Sequence, residues 1–162
     1  MSRYRPPQKS GAKYITSEGE QRLKKELHQL WKIDRPQVTQ SVSEAAALGD
    51  RSENAEYIYG KKKLRELDYR IRYLDRLLKK AQIIEISRND KIYFGRYFEV
   101  TDEEGKIKRW IIVGEGETDF YNGAVSWKSI IGRALIGKKL GDIICVTRPA
   151  GEIELEVTKI DV

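Results

Sequence analysis

Cysteine and histidine each occur once in the 162 residues. The lone Cys145 has no partner for an internal disulfide. Within the run Ile143-Ile144-Cys145-Val146 it reads as a small core residue. The lone His28 lies in a helical pattern with no Cys/His cluster near it, which argues against a zinc site or a Ser/His/Asp triad. No apolar run approaches the roughly 20 residues a spanning helix needs, so a membrane protein is excluded. Charged residues make up 35% of the chain and mean hydropathy is −0.62. The N-terminal Met1-Ser2-Arg3-Tyr4-Arg5-Pro6-Pro7 lacks the apolar core of a secretory signal, and a cytoplasmic protein is expected. At 18.8 kDa the chain has room for one or two small domains with real cores.

The net charge of +6 is unevenly spread. Residues 1–83 hold 19 Lys and Arg against 11 Asp and Glu, whereas residues 84–162 hold 12 against 14. A basic half beside a near-neutral half points to a polyanion met by one half alone.

Residues 1–13 read as a flexible basic tail with Arg3, Arg5, Lys9 and Lys13 and no acid. A first helical arm follows. Thr16 or Ser17 can cap it, and Ser17 with Glu20 fits a capping box. Leu23, Leu27 and Leu30 mark one face, which weakens at Asp34 and Pro36, where a kink or a break in hydrogen bonding is expected. Val38, Val42, Ala45 and Leu48 resume the face, and Gly49 ends the arm. In the second arm Leu64, Leu67, Ile71, Leu74, Leu78 and Ala81 alternate spacings of 3 and 4, the seam of a coiled coil. Two long arms joined by a short turn pack antiparallel.

From about Ile83 the period changes, which places a domain boundary near residues 82–85. Residues 93–100 and 106–113 read as strands around an Asp102–Gly105 turn, and residues 143–148 and 153–160 as a second hairpin. Ser129 to Leu135 reads as a short helix capped by Ser129 and stopped by Gly137. A small antiparallel sheet with one helix is expected, with Tyr93, Tyr97, Phe98, Trp110, Phe120 and Trp127 as core and strand-pair residues.

Between the arms lies Gly49-Asp50-Arg51-Ser52-Glu53-Asn54-Ala55-Glu56-Tyr57. If the second helix starts near Asp50, then Asp50 and Glu53 are at i and i+3 on one side. That spacing fits an N-cap with its N3 acid, and it also fits two carboxylates sharing a hard cation such as Mg²⁺. The two readings are compatible. Along the second arm Lys61, Arg65, Arg72, Arg76 and Lys79 fall within an arc of about 60°, nearly opposite the seam. A solvated coiled-coil face is one reading. A surface for a polyanion or an acidic protein groove is the other, favoured because Asp68 is the only acid on the arc.

Basic hairpin, acidic tip and small β-domain together resemble the Gre family of bacterial transcript cleavage factors. The resemblance rests on the nine-residue tip, on Lys61-Lys62-Lys63-Leu64-Arg65-Glu66-Leu67-Asp68, which is most similar to the GreB branch, and on Gly132–Lys138 and Pro149–Glu152. It covers about residues 14–162. It implies an α+β protein: a long antiparallel coiled-coil hairpin over 14–83 and an FKBP-like β-domain over 84–162 that docks on polymerase. It also implies a monomeric elongation factor that is not itself an enzyme. Such a factor enters the secondary channel of RNA polymerase and stimulates the polymerase's own cleavage of backtracked RNA. Carried over, Asp50 and Glu53 become the tip acids that help hold a Mg²⁺ shared with polymerase, and Lys61, Arg65, Arg72, Arg76 and Lys79 meet the extruded 3′ RNA. Where this branch typically has Asp-Ser-Pro in a docking loop, the chain has Lys128-Ser129-Ile130. That departure keeps open a channel-binding regulator or inhibitor without cleavage stimulation. A stand-alone peptidyl-prolyl isomerase is suggested by the implied fold alone.

Overall fold

The computed structural model describes residues 13–49, 54–84, 90–149 and 151–161. A short strand β1 (Lys13–Ile15) leads into helix α1 (Ser17–Gln29), a π-helical turn (Leu30–Asp34) and helix α2 (Arg35–Ala47). Helix α3 (Ala55–Lys80) returns antiparallel to them and runs into β2 (Ala81–Ile83). Its 26 residues span about 39 Å at 1.5 Å per residue. Lys13 therefore belongs to a strand, not to a tail, because it pairs in parallel with Ala81 at the foot of the hairpin.

The two arms are built as their patterns require. Thr16 caps α1: its Oγ1 accepts from the Gly19 N–H at 2.9 Å. The interruption expected at Pro36 takes the form of the π turn. Pro36 has no N–H to offer the carbonyl four residues back, and just before it the Arg35 N–H bonds five residues back to Leu30. Gly49 ends the arm with φ +138, a conformation that favours glycine. On α3, Ile71 and Leu74 are buried as the seam predicts, while Leu64, Leu67 and Leu78 are half-buried, as is Ala81, which opens β2. The seam missed Leu77, which is fully buried with Leu23 and Leu74 at the base. Near the tip the arms close tightly: a Cβ on Gly60 would lie 2.6 Å from Cγ2 of Val42. Ion pairs at 2.7 Å cross between the arms, Arg35 with Asp68 and Arg70 with Glu26.

The second unit is a five-stranded sheet in the order β5-β4-β3-β7-β6. Its strands are β3 (Tyr97–Asp102), β4 (Ile107–Val113), β5 (Ala124–Ser126), β6 (Ile143–Arg148) and β7 (Gly151–Ile160), with helix α4 (Ile130–Leu135) after β5. Phe98, Val100, Ile112, Leu135, Leu155 and Val157 form its core. The expected order of hairpin then sheet is present, and α4 has its Ser129 cap and Gly137 stop. Four expectations are corrected. The first strand begins at Tyr97, because Gly95 turns the chain at φ +78. The sheet is not wholly antiparallel, since β5 pairs in parallel with β4. Cys145 is exposed, because strand alternation turns Ile144 and Val146 inward and Cys145 out. Tyr97 and Phe120 are exposed rather than core, while Phe98 and Trp110 are buried.

The two units meet at a buried carboxylate. Glu117, 3% exposed, accepts from the Thr16 N–H at 3.0 Å, from the Gly114 N–H at 3.2 Å and from the Thr16 hydroxyl. A Cβ on Gly19 would lie 1.7 Å from Oε1 of Glu117, so the approach needs glycine there. Beside this clamp Gly116 sits on the hairpin base, and Tyr14 packs at 5.4 Å from the Trp127 ring. Glu117→Ala removes the shared acceptor and leaves the buried Gly114 N–H and the part-buried Thr16 N–H unpaired. Urea unfolding is expected to show a loss of about 1–3 kcal/mol. A stability equal to wild type would mean that the clamp does not hold the units together.

Candidate functional site

The tip is organised by Asn54. Its Oδ1 accepts from the Tyr57 N–H at 3.2 Å and caps α3. Its Nδ2 donates across the hairpin to the Ala45 carbonyl of α2 at 2.8 Å. One side chain thus starts the second arm and ties it to the end of the first. The sequence reading did not single out Asn54, although an Asn just before a helical run is an ordinary capping signal. Helix α3 begins at Ala55, not near Asp50, because the side chain that satisfies its first turn is that of Asn54. Asp50 and Glu53 therefore precede the helix, and the i, i+3 argument on α3 does not apply to them. Both lie outside the described residues. Glu56, in the first turn of α3, is exposed.

Beyond the tip the second arm presents charge. Lys61, Arg65, Arg72, Arg76 and Lys79 are all exposed. Among the described residues Lys61, Arg65, Arg72 and Arg76 form no ion pair, whereas Lys79 holds Asp75 at 2.8 Å. Asp68, the acid on this arc, is half-buried and already paired with Arg35. Arg70 on the flank is held by both oxygens of Glu26, at 2.7 and 3.0 Å, so it faces the other arm. The open face is thus more nearly of one sign than the sequence count implies. Among the described residues no group of three or more His, Cys, Asp or Glu is placed to hold a metal ion, and no helix is long and apolar enough to cross a membrane.

Comparison with known proteins agrees with this layout. The model for the N-terminal region of transcription elongation factors matches residues 13–83, and that for the GreA/GreB C-terminal region matches residues 87–162. The chain belongs to the GreA/GreB family of transcription elongation factors. Among its relatives, the transcription elongation factor GreB of Pseudomonas aeruginosa is 53% identical over 94% of this chain and 92% of that protein. The GreB factors of Haemophilus ducreyi and Haemophilus influenzae are 51% and 50% identical, each over 91% of this chain and over 92% and 94% of their own lengths.

In this Gre-family chain Lys128 and Ser129 precede α4 and Ile130 opens it. Ser129 is occupied as the cap of α4, accepting from the Gly132 N–H at 2.9 Å. Lys128 turns back onto Glu115, which also holds Lys13 at 3.1 Å, and its ammonium lies 5.4 Å from the centroid of the Trp127 ring. The positive charge at 128 is therefore largely answered within the chain, and Ile130 is left exposed. The hydrogen bond from Lys128, with that from Lys13, holds the Glu115 carboxyl below its ordinary range despite partial burial.

Two predictions follow from these contacts. Asn54→Ala should lower stability by about 1–2 kcal/mol in thermal unfolding and speed hydrogen exchange at the Tyr57 amide; unchanged exchange would show that Asn54 does not hold the tip. Because the Glu115 pKa is depressed in the fold, its contribution is complete above the ordinary glutamate value of about 4.3 and fades as pH falls through the lower folded value. Glu115→Gln should therefore cost stability at pH 7 and show a shallower acid-side decline than wild type. Parallel stability curves down the acid limb would refute the link.

Proposed function

We propose that the chain acts as a transcript cleavage factor: it enters the secondary channel of RNA polymerase and stimulates the polymerase's own cleavage of backtracked RNA. It is not the nuclease itself. The observation that carries this reading is the tip junction. Asn54 ties the start of α3 to the end of α2, and Asp50 and Glu53 fall in the sequence between these two helices. Carboxylates at the end of a finger about 39 Å long can be delivered into a deep site that the rest of the protein does not enter.

Asp50 and Glu53 are hard oxygen donors of the kind Mg²⁺ takes, and two carboxylates are too few to complete its shell. They would hold the ion jointly with polymerase and water. In a two-ion site such an ion stabilises the attacking and leaving oxygens of the displacement. The chain's own residues position the carboxylates, keep the hairpin closed through Asn54, and draw the extruded RNA 3′ segment along Lys61, Arg65, Arg72, Arg76 and Lys79. The sheet unit docks at the channel rim, with Lys128, Ser129 and Ile130 in the docking loop. Since Lys128 is paired with Glu115, the loop offers polymerase the exposed Ile130 rather than a free cation. A monomer suffices for each of these roles.

The test is RNA cleavage in a stalled, backtracked elongation complex of the cognate polymerase with Mg²⁺. Wild type should accelerate cleavage. Asp50→Ala and Glu53→Ala should each lose on the order of 10- to 100-fold of that acceleration while still competing for polymerase. Full stimulation by both variants would remove the tip from the chemistry. No stimulation by wild type would leave a channel-binding regulator.

A further inference from the structure

The π turn produces a feature that the basic arc does not use. A helical seam repeats at 3 and 4, but the first arm runs Leu30, Asp34, Val38, Val42 at successive spacings of 4. The wider turn absorbs the extra residue and leaves Trp31, inside it, 50% exposed. A large indole half in water forgoes burial that the hairpin elsewhere secures, and π turns recur at functional sites. The ring is also held in place. The Arg35 guanidinium lies over it at 5.7 Å from the centroid, and Arg35 is itself fixed to Asp68 at 2.7 Å.

Trp31 lines a groove of about 540 Å³ between the arms, floored by Leu27 and Ile71. Lys24, Lys32 and Arg72 stand at its rim. Asp75 is the one acid lining it, and that carboxylate is paired with Lys79; Lys24 is likewise paired, with Glu20 at 2.8 Å. Lys32 and Arg72 form no ion pair among the described residues. An oriented aromatic ring, an apolar floor and uncompensated cations are the elements that bind single-stranded nucleic acid: bases stack on the ring while phosphates meet the charges.

We infer that this groove is a nucleobase-stacking subsite for single-stranded RNA, with Trp31 as the platform and Lys32 and Arg72 as phosphate contacts. The inference rests on the reading of the basic arc as an RNA surface, since Arg72 belongs to both. It adds that the RNA is held by its bases as well as by its charge. The grip is therefore selective for polymers that carry bases and tolerant of their sequence.

Tryptophan fluorescence reads this directly, because Trp110 is buried, Trp127 is half-buried against Tyr14, and Trp31 is the exposed indole. The full chain is titrated at low salt with a nine-residue oligouridylate and, separately, with inorganic polyphosphate of equal charge. The expected result is quenching by the oligouridylate and binding without quenching by polyphosphate. Trp31→Leu should lose the quench and bind the oligouridylate about 5- to 150-fold more weakly, with Trp31→Phe in between. Equal affinity of Trp31→Leu and wild type, or equal quenching by both polymers, overturns the stacking subsite and leaves the basic arc standing. Binding of neither polymer by wild type overturns both. Should Trp31→Leu fail to fold, the two-polymer comparison on wild type still decides.

Discussion

The carboxylate of Glu117, buried where the loop after β4 meets the base of the hairpin, accepts from Thr16 and Gly114 on either side of the junction. A buried carboxylate is costly unless its oxygens are satisfied, and here one that is satisfied lies at the N-terminus of α1, where the helix dipole favours negative charge. The contact is selective because it is close. Gly19 leaves no room for a Cβ beside the carboxylate, and a Cβ on Gly114 would lie 1.6 Å from the Tyr14 carbonyl oxygen. With Leu23, Leu74 and Leu77 packed under Gly116, the foot of the finger is fixed against the sheet. A finger some tens of ångströms long multiplies any angular play at its base, so the position of its far end depends on this joint.

The hairpin solves a second problem, that of keeping a basic surface open on a thin structure. Acids are not absent from it; two of them are spent between the arms. Glu26 holds Arg70 and Asp68 holds Arg35 across the arms, and each pair stitches the arms while withdrawing an acid from the outer face. Exposed ion pairs are worth little in stability, about 0–1 kcal/mol each. Their larger effect is on the field: Lys61, Arg65, Arg72 and Arg76 are left without compensating carboxylates among the described residues.

Much of this was legible in the order of residues. The seam on α3, the stop at Gly49, the Ser129 cap and the β6–β7 hairpin are local patterns, and each is present. What escaped was set by partners distant in the chain. β1 is three residues long and exists because Ala81–Ile83 lies beside it, and β5 is extended because β4 is there to pair with it. Glu117 reads as one acid in an acidic loop until Thr16, about a hundred residues earlier, is seen to bond to it. At the tip the helix start lies later than the pattern implies because Asp50 and Asn54 are both plausible caps. The deciding fact was the bond from Asn54 to Ala45 on the other arm, which no local pattern contains.

That correction bears on the function. A carboxylate that caps a helix has part of its bonding capacity taken by backbone N–H groups and is oriented by the helix. In α3 the side chain that accepts from the first turn is that of Asn54, bonded by the Tyr57 N–H. At the start of α4, likewise, Glu115 answers Lys128 and Ser129 serves as the cap, while Ile130 is exposed. Under the proposed function, a tip acid without a capping role would exchange solvent for a shared cation without unwinding the helix behind it. Under the proposed function, such freedom would suit a group that acts only after it is carried into the polymerase.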